Sequence, residues 1–220
     1  MKNILLLGDC IANGGPADGD EFKIQYIKQH GMVDQAVIND AHTTWSRANQ
    51  WCRAWPDTQV HNLARLGETY TGMRMQYHDA VTKRGITPDM VVITDHANSH
   101  YGHYIKHQGQ FIWMQREIHY LTEPQHKYPQ EPYEQFIRHS KWERDQGEHY
   151  YNTKAKKNYQ SLLNYCEHQA IPYHVLRFRT WSTFVMPGAV DCTDLCDRAE
   201  KGNAKDMQDV GLAIAQRIGL

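Results

Sequence analysis

The stretch Ile4-Leu5-Leu6-Leu7-Gly8-Asp9-Cys10-Ile11 decides the fold. An apolar run with no polar alternation suits a strand buried on both faces, and the glycine and acid that end it mark a turn. Asn3–Leu7 is therefore expected to be the first strand of a sheet covered on both sides. The residue after the turn is a cysteine, which reads either as a nucleophile delivered by a strand end or as a small buried thiol, since free cysteine is among the most buried residue types.

Working outward, two more apolar runs follow turn chemistry. Thr58–Ala64 comes after Pro56-Asp57, and Met90–Thr94 comes after Thr87-Pro88-Asp89; both read as parallel core strands. Pro172–Arg179 alternates more and carries two arginines, which places it nearer the sheet edge. Helical spacing is expected over Glu21–His30, Val33–Trp55, Thr69–Arg84 and Gly102–Leu121. Tyr133–Gln169 reads as two helices broken near Gly147, and Ala204–Ile218 as a closing amphipathic helix. Strands alternating with helices predict βαβ crossovers and a three-layer α/β/α sandwich around a parallel sheet, with any site at the carboxyl ends of the strands.

The totals narrow the class. At 220 residues the chain is long enough to bury roughly 70% of its unfolded surface, so no disulfide framework is needed. One domain over residues 1–220 is expected, with Glu123–Gly147, rich in Pro, Gln and charge, as an insertion or lid, or else an ordinary solvated connection. Twenty-four basic residues against 25 acidic ones leave no chain-wide signature of a nucleic-acid or membrane-surface partner. Five cysteines without regular spacing and the shortness of the N-terminal apolar run point to a reducing, cytoplasmic setting, with no membrane segment. The 14 His, 13 Tyr and 6 Trp are the unusual part of the composition.

The first three strands each end in small and polar residues: Gly8-Asp9-Cys10, then Asn62 to Gly67, then His96-Ala97-Asn98. In a parallel sheet these ends share one crevice, which brings a thiol, a glycine N–H and an asparagine amide together. Acyl transfer needs such a set: a nucleophile for the carbonyl and donors for the oxyanion. A thiol opening the next helix would also be shifted toward thiolate.

These blocks resemble the SGNH (GDSL-type) hydrolase superfamily, whose first block is an apolar strand followed by Gly-Asp-Ser. Here it is Leu7-Gly8-Asp9-Cys10-Ile11. Asn62 and Gly67 match the second block, and Pro88-Asp89, the strand and Asn98 match the third in spacing, with His96 and Ser99 in place of the family's Gly and final Asp. The cysteine is similar to that of GSCFA-type and WcbI-type relatives of the fold. The resemblance implies a flavodoxin-like parallel sheet and an ester or thioester hydrolase, or an acyltransferase, with Cys10 as nucleophile. It implies an oxyanion hole of the Cys10 N–H, the Gly67 N–H and the Asn98 side chain, with Asp9 and Asn62 supporting. No cofactor or metal is implied, and the partner is a small-molecule or acyl-bearing substrate.

The family's last block, Asp-x-x-His before the C-terminal helix, is absent: Asn203 and Asp206 stand there, and no histidine follows His174. Three readings stay open. The base for Cys10 comes from His96 or His100; or Asp191, Asp194 or Asp206 polarise a changed reaction; or the crevice binds a ligand without covalent chemistry. A fold alone does not choose among them.

The remaining motifs are weaker. His96, His100, His103 and His107 would share one face of a helix, a geometry open to metal but also that of an exposed face. Asn98 reads equally as a helix cap, and Asn62 and Gly67 as turn residues. Cys192 and Cys196 lack the second pair of a zinc motif. Gly14-Gly15-Pro16 lacks the residues of a P-loop or dinucleotide fingerprint. Lys154–Lys157, flanked by Tyr150, Tyr151 and Tyr159, fits a solvated helix face better than a nucleic-acid surface.

Overall fold

The structure, a computed structural model, describes residues 1–13, 50–64, 68–95, 100–117, 130–179, 186–201 and 204–220. The expected helix Glu21–His30 and all of Val33–Trp55 before residue 50 lie outside the described residues. At the end of the latter, Trp51–Ala54 is one turn of 3-10 helix.

Lys2–Leu7 is β1, Thr58–Asn62 is β2 and Met90–Thr94 is β3. With β6 (Tyr173–Arg177) and the two-residue β7 (Val190–Asp191) they form a parallel five-stranded sheet in the order β2-β1-β3-β6-β7. This is a flavodoxin-like order, with β1 central because its unbroken apolar run tolerates burial on both faces. Its side chains are fully buried from Ile4 to Leu7. Among the described residues only short β7 lies beyond β6, so β6 does sit near the edge. At the bottom of the sheet, the Asn3 N–H donates to Asp89 Oδ2 at 2.8 Å, tying the starts of β1 and β3.

Alternate residues feed two cores. Ile4, Leu6, Val92, Leu176 and Phe178 pack on one face against Trp51, Trp55 and the helices α5 (Cys196–Lys201) and α6 (Ala204–Ile218). Leu5, Leu7, Val91, Ile93 and Val175 pack on the other against α2 (Tyr70–Thr82) and α4 (Glu148–His168). The result is the expected three-layer α/β/α sandwich. Thr69 caps α2, its hydroxyl accepting from the Gly72 N–H at 3.3 Å. Gly147, at φ 85°, separates α3 (Gln130–Asp145) from α4, the left-handed conformation that glycine adopts without a Cβ penalty. Close approach fixes another glycine: a Cβ on Gly211 of α6 would lie 2.0 Å from the Trp51 carbonyl oxygen.

One expectation is wrong. Of the expected helix Gly102–Leu121, the part up to Glu117 is not helical: β4 (His100–His107) and β5 (Gln110–Glu117) form an antiparallel hairpin, and 118–121 lie outside the described residues. Its turn residues Gln108 and Gly109 both have positive φ, 48° and 79°. That is the two-residue turn whose twist matches a hairpin, flanked by Tyr, Ile, Phe and Trp, which favour strands. The three- and four-residue histidine spacing therefore does not make one helical face. In a strand alternate residues share a face, so His103 and His107 lie on one side with Ile105.

Helix α3 lies against β4, its buried residues being Pro132, Phe136, Ser140 and Glu143. Within the segment read as an insertion or lid, residues 130–145 are thus this helix, and 123–129 lie outside the described residues. Among the described residues no helix is long and apolar enough to cross a membrane, and no group of three or more His, Cys, Asp or Glu side chains is placed to hold a metal ion.

Candidate active site

In a sheet of this order the chain reverses direction of growth between β1 and β3, and ligand crevices form there, outside the carboxyl ends of the strands. Gly8, Asp9 and Cys10 leave β1 at that point, and Cys10 opens the single-turn helix α1 (Cys10–Asn13). Gly8 is required by crowding: a Cβ on it would lie 2.1 Å from Thr94 Oγ1 at the end of β3 and 2.8 Å from Ala12 Cβ.

Asp9 is fully buried. Its Oδ1 accepts the Ile11 N–H at 3.2 Å, shaping the turn that carries Cys10, and its Oδ2 meets Arg179 Nη2 at 3.0 Å. Arg179, only 2% exposed, also donates from Nη1 to the backbone oxygen of Asp95 at 3.0 Å. The Asp95 carboxylate in turn accepts the N–H groups of Phe178 and Arg179, both at 3.1 Å. The ends of β1, β3 and β6 are thereby locked by one buried cation between two acids. Burial pushes Asp95 up to about 6, with Asp9 adding to the shift and Arg179 and the two N–H groups opposing it.

The α1 turn is held from the other side as well. Trp51 Nε1 donates to the Ile11 carbonyl at 2.8 Å. Asn62, at the end of β2, donates to the Ala12 carbonyl at 2.7 Å while its Oδ1 accepts the Ala64 N–H at 3.0 Å. Beyond Gly67, buried Glu68 accepts from the Thr69 N–H at 2.9 Å and from the Gln76 amide, folding over the first turn of α2.

The structure thus brings together Asp9, Asn62 and the backbone of Cys10. Gly67, His96 and Asn98 lie outside the described residues. So do the side chains of Cys10 and of His100, which opens β4. The acids near the C-terminus are engaged locally: Asp191 accepts from the Thr193 N–H and hydroxyl at 3.0 and 2.8 Å, and Asp194 takes a bidentate pair from Arg217 at 2.8 and 2.7 Å. These hydrogen bonds hold both carboxyls below their ordinary range. Asp206 sits in the first turn of α6.

No family model matches the chain, and no curated protein matches it. Among solved structures it is similar to one described as "a putative GDSL-like lipase" from Parabacteroides merdae, at 12% identity over 99% of this chain and 74% of that one, with a TM-score of 0.29. That likeness is too distant to argue from.

Sequence reasoning missed Arg179 and Asp95. The signal was only partial: an arginine two residues past an alternating strand, with an acid just after each of β1 and β3. A buried arginine needs such partners.

Proposed function

We propose that the protein hydrolyses, or transfers, the acyl group of an ester or thioester through Cys10. The observation that supports this most is the position of Cys10, first residue after the β1 turn at the switch point of the sheet, on a backbone pinned by Asp9, Trp51 and Asn62. The thiolate attacks the acyl carbonyl, the leaving alcohol or thiol takes a proton, and water or an acceptor then cleaves the Cys10 thioester. The N–H of Cys10, that of Gly67 and the Asn98 amide receive the oxyanion, and His96 or His100 is the base. Hydrogen-bond donors in such a role are worth about 10²–10³ in rate each.

The absence of any histidine after His174 favours a second reading, a non-catalytic protein that binds its ligand in the same crevice. Aryl esters and aryl thioesters separate the two. Turnover, with an acyl adduct on Cys10 in the mass spectrum of the quenched protein and loss of both in Cys10→Ala, is the expected result. Turnover that survives Cys10→Ala unchanged removes Cys10 from the chemistry.

A further inference from the structure

Away from the strand ends, β4 and α3 flank an open groove of about 640 Å³ lined by Ile105, Lys106, Gln135, Arg138, His139 and Trp142. Ile105 and Lys106 stand five and six residues along β4 from His100, about 17–20 Å at the rise of a strand. The volume lies within the ordinary range for small-molecule sites. Its lining includes the side chains of Arg138 and His139, an amide, an aliphatic floor and an indole, while Lys106, next to Ile105 on the strand, turns its side chain to the other face. Among the described residues no acid lines it, and Arg138 also meets exposed Glu134 one turn away on α3, at 4.0 Å.

The floor is rigid. Ile105 is buried, and behind it His103 packs edge-on against both Phe136 and His139, at 5.8 and 5.0 Å between ring centres. His103 Nε2 also meets the buried Glu143 carboxylate at 3.0 Å. The aromatic row continues outward from His139 to Trp142 at 5.9 Å and from Trp142 to Tyr150 at 5.6 Å. Trp142 is nonetheless 49% exposed, a large apolar surface left to solvent at the rim of a cationic groove.

We propose that this groove is a binding site for a planar aromatic ligand carrying a phosphate, of the nucleoside monophosphate class. Trp142 supplies the stacking surface, Ile105 the apolar floor, and Arg138 the charge for the phosphate. Arginine's planar fork matches phosphate oxygens, and aromatic stacking accepts any base. A neutral ligand would leave the basic rim unanswered, and an anion without a ring would leave the indole exposed.

The test titrates the full chain with adenosine monophosphate, adenosine and inorganic phosphate by calorimetry. Adenosine monophosphate is expected to bind, adenosine and phosphate each about 10-fold more weakly or worse. Arg138→Gln and Trp142→Ala are each expected to weaken adenosine monophosphate about 10-fold. Arg138 is 69% exposed, so Arg138→Gln should keep the parent melting temperature, while Trp142→Ala, which loses ring packing on His139 and Tyr150, should lower it but keep a single cooperative transition. Absence of binding at about 1 mM ligand overturns the proposal, as does binding that neither substitution alters. Tighter binding of a single-stranded oligonucleotide than of the mononucleotide, falling steeply with salt, also overturns it by making the site a nucleic-acid surface.

Discussion

Arg179 lies between two carboxylates at the ends of three parallel strands, whereas Glu143 lies between two bases on a hairpin and two helices. In the first cluster Asp9, Asp95 and Arg179 are all buried, with acids in surplus. In the second, His103 of β4 and Lys154 of α4 converge on Glu143 of α3, with bases in surplus and Lys154 about a third exposed. Burial is the largest influence on the shifted group in each cluster. Asp95 is pushed up to about 6, chiefly by burial, while burial holds His103 below its ordinary value against the pull of Glu143. Burial also works against the Glu143 carboxylate, but the hydrogen bonds from His103 and Lys154 outweigh it and keep it below the usual range. One cluster fixes the sheet beneath Cys10; the other docks an added hairpin.

Arg179→Met should have the largest effect, because it leaves two buried acids without their cation. Removing one partner of such a cluster typically costs about 3–5 kcal/mol, measured by urea denaturation; a loss below about 1 kcal/mol, the range of exposed pairs, would erase the distinction between the clusters. Glu143→Leu should cost less, about 1–3 kcal/mol, the penalty for stranding the buried His103 ring nitrogen. Its lost protection from hydrogen exchange should be confined to 100–117 and 130–145, and a loss spread through the sheet would show that the hairpin is not a separate unit.

Acid should drive the two regions apart. His103 binds its proton less readily folded than unfolded, so its contribution is full above about 6.5 and is lost as pH falls toward its folded value. Glu143 acts in the same direction below its ordinary 4.5. Asp95 has the opposite sign: its folded pKa of about 6 exceeds the ordinary 3.8, so its contribution is full at low pH and lost as pH rises through about 6. Between pH 7 and 5, hydrogen exchange corrected for intrinsic rates should therefore speed up in β4 and α3 while β1, β3 and β6 hold. Equal loosening in both would contradict the assignment of the clusters.

The same two regions differ in how readily the sequence discloses them. β1 and β3 are apolar runs introduced or closed by Gly, Pro or Asp, and burial on both faces leaves no competing period, so β3 is found at Met90–Thr94 as expected; Thr58–Ala64, expected as a core strand, instead gives the half-buried β2 at the end of the strand order. The hairpin offers two periods at once. His100, His103 and His107 fall at helical spacing while His103, Ile105 and His107 alternate, and its turn uses Gln108 where Asn or Asp is the usual signal. Only packing on α3 decides between them. Within the site, Asp9 and Asn62 were legible as strand-end polar residues. Arg179 was not, because an arginine in an alternating strand reads as solvent-facing until the acids of β1 and β3 are brought beside it.

Cys10 offers the most direct measurement, since the other thiols serve as internal controls. Cys52, Cys166 and Cys192 are buried, and burial pushes them up to about 11, 12 and 11. Alkylation of the native protein by iodoacetamide at neutral pH, followed site by site in the mass spectrum, is expected to label Cys10 first and faster than a free thiol of ordinary pKa, about 8.5. Labelling of Cys10 no faster than that free thiol, or no faster than the buried cysteines, would contradict its role as nucleophile.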